Sequence, residues 1–155
     1  MTTLTQLTTS ERVARLQTLA NDSDTAAKLA VELIQCLTDS DEEVRNWANE
    51  ALENLESPSV SDLANIAKFV ASSDDDAAFW ALKLLGRLGE QAQPQEACIA
   101  AALKQERAVQ VRQNAAWALS KLGSLSDESQ KRLQQAAKDS DARLAHLAQQ
   151  ALNQA

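Results

Sequence analysis

Apolar residues recur along this chain at three- and four-residue intervals, and the recurrence itself repeats. Ser40 to Leu55 reads SDEEVRNWANEALENL. The pattern returns as SDDDAAFWALKLLGRL from Ser73, RAVQVRQNAAWALSKL from Arg107 and SDARLAHLAQQALNQA from Ser140. The starts at 40, 73, 107 and 140 lie 33, 34 and 33 residues apart. On a wheel at about 100° per residue, Val44, Ala48, Ala51, Leu52 and Leu55 share one face. Ala77, Ala81, Leu84, Leu85 and Leu88 match them in the next stretch, and Val111, Ala115, Ala118, Leu119 and Leu122 in the one after. The last set is Leu144, Ala148, Ala151, Leu152 and Ala155. Alanine holds the middle of each face, where a second helix must approach closely. One such helix cannot bury its face alone, and a period of this size marks helical repeats stacked into a solenoid.

A second stripe precedes the first. Ala30, Leu33, Ile34 and Leu37 return 33 residues on as Leu63, Ile66, Ala67 and Val70. Each repeat is therefore a pair of antiparallel helices. The predicted order is a capping helix in 8–22, then repeats at 24–56, 57–89, 90–123 and 124–155, nine helices forming one domain over 1–155. Residues 1–7 are expected to be loose. Thr8 with Glu11, Ser59 with Asp62 and Ser73 with Asp76 have capping-box spacing. Gly89 is a natural left-handed stop. Pro94 suits the first turn of a helix running to about Gln105. The fold class is all-α, a right-handed α-α superhelix.

The run Asp39-Ser40-Asp41-Glu42-Glu43-Val44-Arg45, followed by Ala48, Ala51-Leu52 and Leu55, resembles the HEAT repeat family. That family includes the shorter HEAT-like repeats first described in phycobilin lyases. The resemblance covers about residues 24–155. Ankyrin repeats share the period, but no Thr-Pro-Leu-His stretch occurs, and tetratricopeptide repeats need tyrosines where this chain has none. The resemblance implies a ladder along the stack, built from an Asp before each second helix and an Arg six residues on. Asp39/Arg45 fits, and Glu106/Arg112 fits with a longer acid. Ser72/Ala78 and Asp139/Ala145 do not, so the ladder is interrupted.

Composition agrees with helices: apolar residues make up 45% of 155, with 3 Gly, 2 Pro and no Tyr. The net charge of −7 repels phosphate backbones and argues against nucleic acid. No apolar run has the length of a membrane span. The start MTTLTQLTTSERV lacks the basic and apolar blocks of a signal peptide. Cys36 and Cys98 fall about two repeats apart. At roughly 10 Å per packed helix, that exceeds the reach of a disulfide. Both are expected to be reduced, buried thiols of a cytoplasmic protein.

The acidic tips, Asp39 to Glu43 and Asp74 to Asp76, lack the turn glycine of a calcium loop. They read as helix caps and as favourable charge at helix starts. His146 is the only histidine and has no partner set for zinc or for catalysis. No catalytic, metal or cofactor residues are assigned. Trp47 and Trp80 share one repeat position and read as packing residues. Trp117 aligns instead with Glu50, Lys83 and Gln150, Phe79 with Asn46, Gln113 and His146, and Leu82 with Asn49, Ala116 and Gln149. All three columns read as outward. Phe79, Leu82, Lys83 and Trp117 are thus the predicted protein-binding residues, one patch on the second-helix face with a gap at Gly86 between them.

The reading is a non-enzymatic, monomeric scaffold that binds another protein or a peptide segment on its concave second-helix face. Two alternatives follow from the resemblance alone. One is an auxiliary subunit of a phycobilin lyase-like or other protein-modifying enzyme. The other is a DNA glycosylase, which Asn46, Asn49, Glu50 and Glu53 on the outward columns argue against.

Overall fold

The computed structural model describes residues 2–155; Met1 lies outside the described residues. Every regular element among them is helical. Four of the helices are the predicted second helices: α4 (Glu42–Asn54), α6 (Asp75–Leu88), α8 (Val109–Leu119) and α10 (Ala142–Gln154). Their stripes are buried as the wheel requires, and Ala48, Ala81, Ala115 and Ala148 are fully enclosed. One helix and four pairs account for the described residues, but several first helices are broken into shorter pieces.

The chain divides into two compact units, one ending at Ile66 and one spanning Ala67–Ala155. In the first unit, α1 (Thr9–Leu19) packs on α4, and so do α2 (Ser23–Lys28) and α3 (Ala30–Cys36). A single helix over 25–37 was expected. It breaks at Leu29, where the Ala27 carbonyl accepts from the Ser59 amide at 3.3 Å.

The start of the chain is not loose. Leu4 is 3% exposed and opens a 3-10 turn, Leu4–Gln6. Arg12 holds that turn, donating from Nε to the Leu4 carbonyl at 2.8 Å and from Nη2 to Leu7 at 2.8 Å. The Leu4 amide donates to Glu32 at 2.6 Å.

The first helix of the second repeat, expected over 60–71, is three short pieces. These are a 3-10 turn at Val60–Asp62, α5 (Leu63–Ala67) and a 3-10 turn at Lys68–Ala71. Ser59 makes no side-chain cap there; its hydroxyl pairs with that of Ser61 at 2.8 Å.

In the second unit, α6 packs on α8, and α8 on α7 (Glu96–Ala101) and α10. α9 (Asp127–Ala136) packs on α7 and α10. Gly89 stops α6 at φ 60°, as expected. Pro94 lies in a 3-10 turn, Gly89–Gln95, that precedes α7. α7 ends at Ala101, short of Gln105, because the next amides tighten onto the third carbonyl back: Ala102 on Ile99 and Leu103 on Ala100, both at 3.1 Å.

The acidic tips are caps. The carboxylates of Asp41, Asp74 and Asp141 accept from the amides three residues on at 3.0, 2.9 and 2.7 Å. For α6 the capping residue is Asp74, one later than the predicted Ser73. Beneath the tips, Asp39 and Asp139 each accept from the amide two residues on at 2.9 Å.

Two rungs of the Arg–Asp ladder expected along the stack are present. Its rungs join an Arg to the Asp 27 residues later: Arg12 to Asp39, and Arg112 to Asp139 at 2.7 Å. Both pairs are largely covered from water. Arg45 turns to its own tip, donating to the Asp39 and Ser40 carbonyls at 2.7 and 3.0 Å. Arg107 donates to the carbonyls of Val70 and Ser72 at 3.0 and 3.1 Å, tying the end of the Lys68–Ala71 turn to the start of α8.

Candidate protein-binding cleft

Of the predicted residues, the structure brings Phe79, Lys83 and Trp117 together and removes Leu82. Leu82 is 0% exposed. It belongs to a row with Ala78 and Gly86, four residues apart and all buried. α6 is packed against α8 and against the turns before and after it. Its buried arc is therefore wider than the single stripe read from the sequence. Ala116, in the same repeat column, is buried for the same reason on α8.

The expected gap at Gly86 is filled. A Cβ on Gly86 would collide with Cζ3, Cε3 and Cη2 of the Trp117 ring. The ring lies against bare backbone, with one face spent on packing and the rest half-buried. Trp80 is 2% exposed and Trp47 half-buried. The Phe79 and Trp80 rings meet edge to face at 80°, centroids 5.6 Å apart, inside the favourable range of about 4.5–7 Å.

Cations surround these rings. Lys83 Nζ stands 4.7 Å from the Trp80 centroid and 5.6 Å from that of Phe79. Arg87 lies 5.6 Å from Trp80. The cation over Trp117 is Lys121, at 5.7 Å and one turn on along the same helix.

Phe79, Lys83 and Trp117 line a cleft of about 340 Å³. α8 adds Gln110, Gln113 and Asn114. α10 adds Arg143 and Leu147. The repeat explains the opening. Asn114 occupies on α8 the position that Trp47 holds on α4 and Trp80 on α6. An amide replaces a ring there, and its Nδ2 donates to the Phe79 carbonyl at 3.3 Å. Leu147 follows in the same column and Arg143 in that of Gln110. Sequence reasoning missed Asn114, Arg143 and Leu147 because it looked for large apolar exceptions in outward columns. The readable signal was a small residue where two repeats carry tryptophan.

A larger cleft of about 640 Å³ lies in the same unit, between Leu103–Glu106 and α9. Both of its arginines are engaged in ion pairs: Arg112 with Asp139, and Arg132 with Glu128 at 3.1 Å. Cys36 is buried, and burial pushes its thiol up to about 11. Cys98 is half-exposed, contrary to expectation, with Sγ donating to the Ala67 carbonyl at 3.4 Å. Among the described residues, no helix is long and apolar enough to cross a membrane.

Charge is divided unevenly. Residues 1–66 hold 4 Lys and Arg against 12 Asp and Glu, a net of −8. Residues 67–155 hold 11 against 10, a net of +1. The cleft lies in the half without the acidic excess.

Residues 111–139 match the family described as PBS lyase HEAT-like repeat. No curated protein matches the sequence. An engineered protein of known crystal structure is similar over 96% of this chain and 74% of its own, at 20% identity and a TM-score of 0.61. A designed armadillo repeat protein is similar over 92% of this chain and 73% of its own, at 15% identity and a TM-score of 0.58. Another designed armadillo repeat protein, solved in complex with the peptide (KR)4, matches over the same shares with the same identity and TM-score. At these identities the likeness is one of fold.

Proposed function

We propose that this chain, an all-helical repeat fold with a HEAT-like repeat match at residues 111–139, is a non-catalytic protein-binding module. The partner segment seats on the second-helix face in the cleft of α6, α8 and α10. The observation that carries the reading is the convergence there of half-buried Phe79, Trp117 and Leu147 beside Lys83 and Arg143. Aromatic anchors next to cations are the composition of interface hot spots. A designed armadillo repeat protein of similar fold holds a peptide, which supports the reading at the level of fold alone.

The test is affinity capture from native cell extract with the whole chain, a Phe79→Ala/Trp117→Ala variant and a Val60→Ser control. Val60 is 47% exposed and lies outside the cleft. A partner retained by the control should bind the double variant more weakly by about 2 kcal/mol or more per folded molecule. A partner held equally by all three overturns the site. The match at 111–139 favours one second reading, an accessory role in attaching bilins. A pigment-bound absorbance band after co-expression with bilin and antenna protein would establish it.

A further inference from the structure

We infer that the cleft takes an aromatic side chain from an uncharged, extended segment of the partner, a ring that the repeat itself lacks at Asn114. The inference rests on the binding-module reading and adds the chemistry of the partner. Its first support is the repeat column of Trp47, Trp80, Asn114 and Leu147. Trp80 fills its place on α6 so fully that it is 2% exposed. On α8 the same place holds an amide, and the cleft of about 340 Å³ opens beside it. Its apolar walls are Phe79, Trp117 and Leu147, all half-buried. A ring set edge to face or offset against such walls gains more than the area it buries. A partner's ring there takes the position that tryptophan holds on α4 and α6.

The second support is that neither sign of charge prevails. Lys83 is already engaged, and its Nζ lies over the rings of Trp80 and Phe79 at 4.7 and 5.6 Å. Arg143 is flanked along the chain by Asp139 and Asp141. The Asp141 carboxylate reaches the lining itself, where it accepts from Gln113 Nε2 at 2.9 Å. Cation and anion thus border the same cleft. A charged side chain entering it loses water and meets no unopposed counter-charge. A neutral ring has no such cost, and interface cores are likewise poor in charge and rich in aromatics.

The remaining polar groups suit peptide backbone. Asn114 commits Nδ2 to the Phe79 carbonyl at 3.3 Å, and Gln113 commits Nε2 to Asp141. Their amide oxygens, together with both ends of exposed Gln110, provide acceptors and donors. An extended segment carries both kinds of group on either side of its anchor. The volume is at the small end of ligand-sized clefts, roughly 300–1,000 Å³, so it holds a large side chain and not a folded surface.

The test uses the whole chain and fluorescence anisotropy. The probe is a fluorescein-labelled, end-blocked peptide, Gly-Ser-Gln-Leu-Trp-Gln-Ser-Gly. One version has alanine in place of its tryptophan, and two others have glutamate or lysine in place of both glutamines. The tryptophan peptide should bind about tenfold or more tightly than the alanine version. Its affinity should hold within about twofold between about 0.05 and 0.5 M salt, since no ion pair is formed. The glutamate and lysine versions should bind no tighter. Asn114→Trp places in the cleft the residue that this column carries on α4 and α6, and should weaken the peptide by about tenfold or more. Its melting temperature is read alongside. Leu147→Ala removes a wall without filling the space, and should weaken the peptide by about fivefold or more; it decides the matter if Asn114→Trp does not fold. Equal affinity for the tryptophan and alanine peptides, or unchanged affinity in a folded variant, overturns the inference. If a charged version binds about tenfold more tightly than the neutral one, the neutral anchor fails while the binding module stands. If no peptide binds, the inference fails, and the capture experiment alone decides the module.

Discussion

Gly86 and Trp117 work as one unit: the ring fills the space that any larger residue at 86 would need. Gly86→Ala should therefore push the ring outward, and Ala81→Leu should overpack the enclosed centre of the same helix. Each is expected to cost about 1–3 kcal/mol, measured by thermal or urea unfolding. The two should differ in tryptophan emission, because only the first moves an indole toward solvent. An unchanged midpoint for Ala81→Leu would mean that the helical phase is wrong. That phase was legible in the sequence, since alanine at 48, 81, 115 and 148 recurs with the period itself. Leu82 was misread because a wheel shows one stripe and cannot show how many neighbours a helix has. Arg143 and Asn114 went unread because their meaning depends on residues one repeat away.

Two elements of the second unit are held at their starts by carboxylates whose ionisation the fold favours. The Asp141 amide and then the Arg112 guanidinium hold the Asp139 carboxyl below its ordinary range. Burial alone would raise the Glu96 carboxyl, but hydrogen bonds from Ser129, Ser126 and Gln93 outweigh it and keep it low as well. A carboxyl depressed in the folded state stabilises fully above its unfolded value, about 3.9 for Asp, and loses that contribution as pH falls through the folded value. Asp139→Asn should thus lower the melting temperature near neutral pH. The gap to the unaltered protein should close as pH falls below about 4. A gap that stays constant from neutral to acid would show that the Asp139 charge does not matter. The family resemblance suggested a ladder along the stack, interrupted in places, and two rungs of it form between successive repeats. The residue types were readable, but the 27-residue reach from Arg12 to Asp39 and from Arg112 to Asp139 is a property of packing.

Across the molecule, the sequence implied one uniform domain, whereas contacts group it into two units that differ in charge, −8 for residues 1–66 and +1 for 67–155. The repeat period hides this, because the stripes that set it are apolar and the charges sit on the faces between them. The acids of the first unit, including Glu42, Glu43, Glu50, Glu53 and Glu56, are exposed. Self-repulsion among exposed like charges opposes compactness, and salt removes it: the screening length falls from about 30 Å at 0.01 M to about 3 Å at 1 M. The Arg12–Asp39 pair works in the opposite sense, since salt weakens ion pairs, but it is largely covered from water and so is screened less. Repulsion should dominate the response. Raising salt from about 0.01 to 0.5 M is therefore expected to slow amide hydrogen exchange more in residues 2–66 than in 67–155. Mass spectrometry of peptic fragments reads both regions in one experiment. An equal response in the two, or a larger one in 67–155, would show that the acidic excess does not set the stability of the first unit.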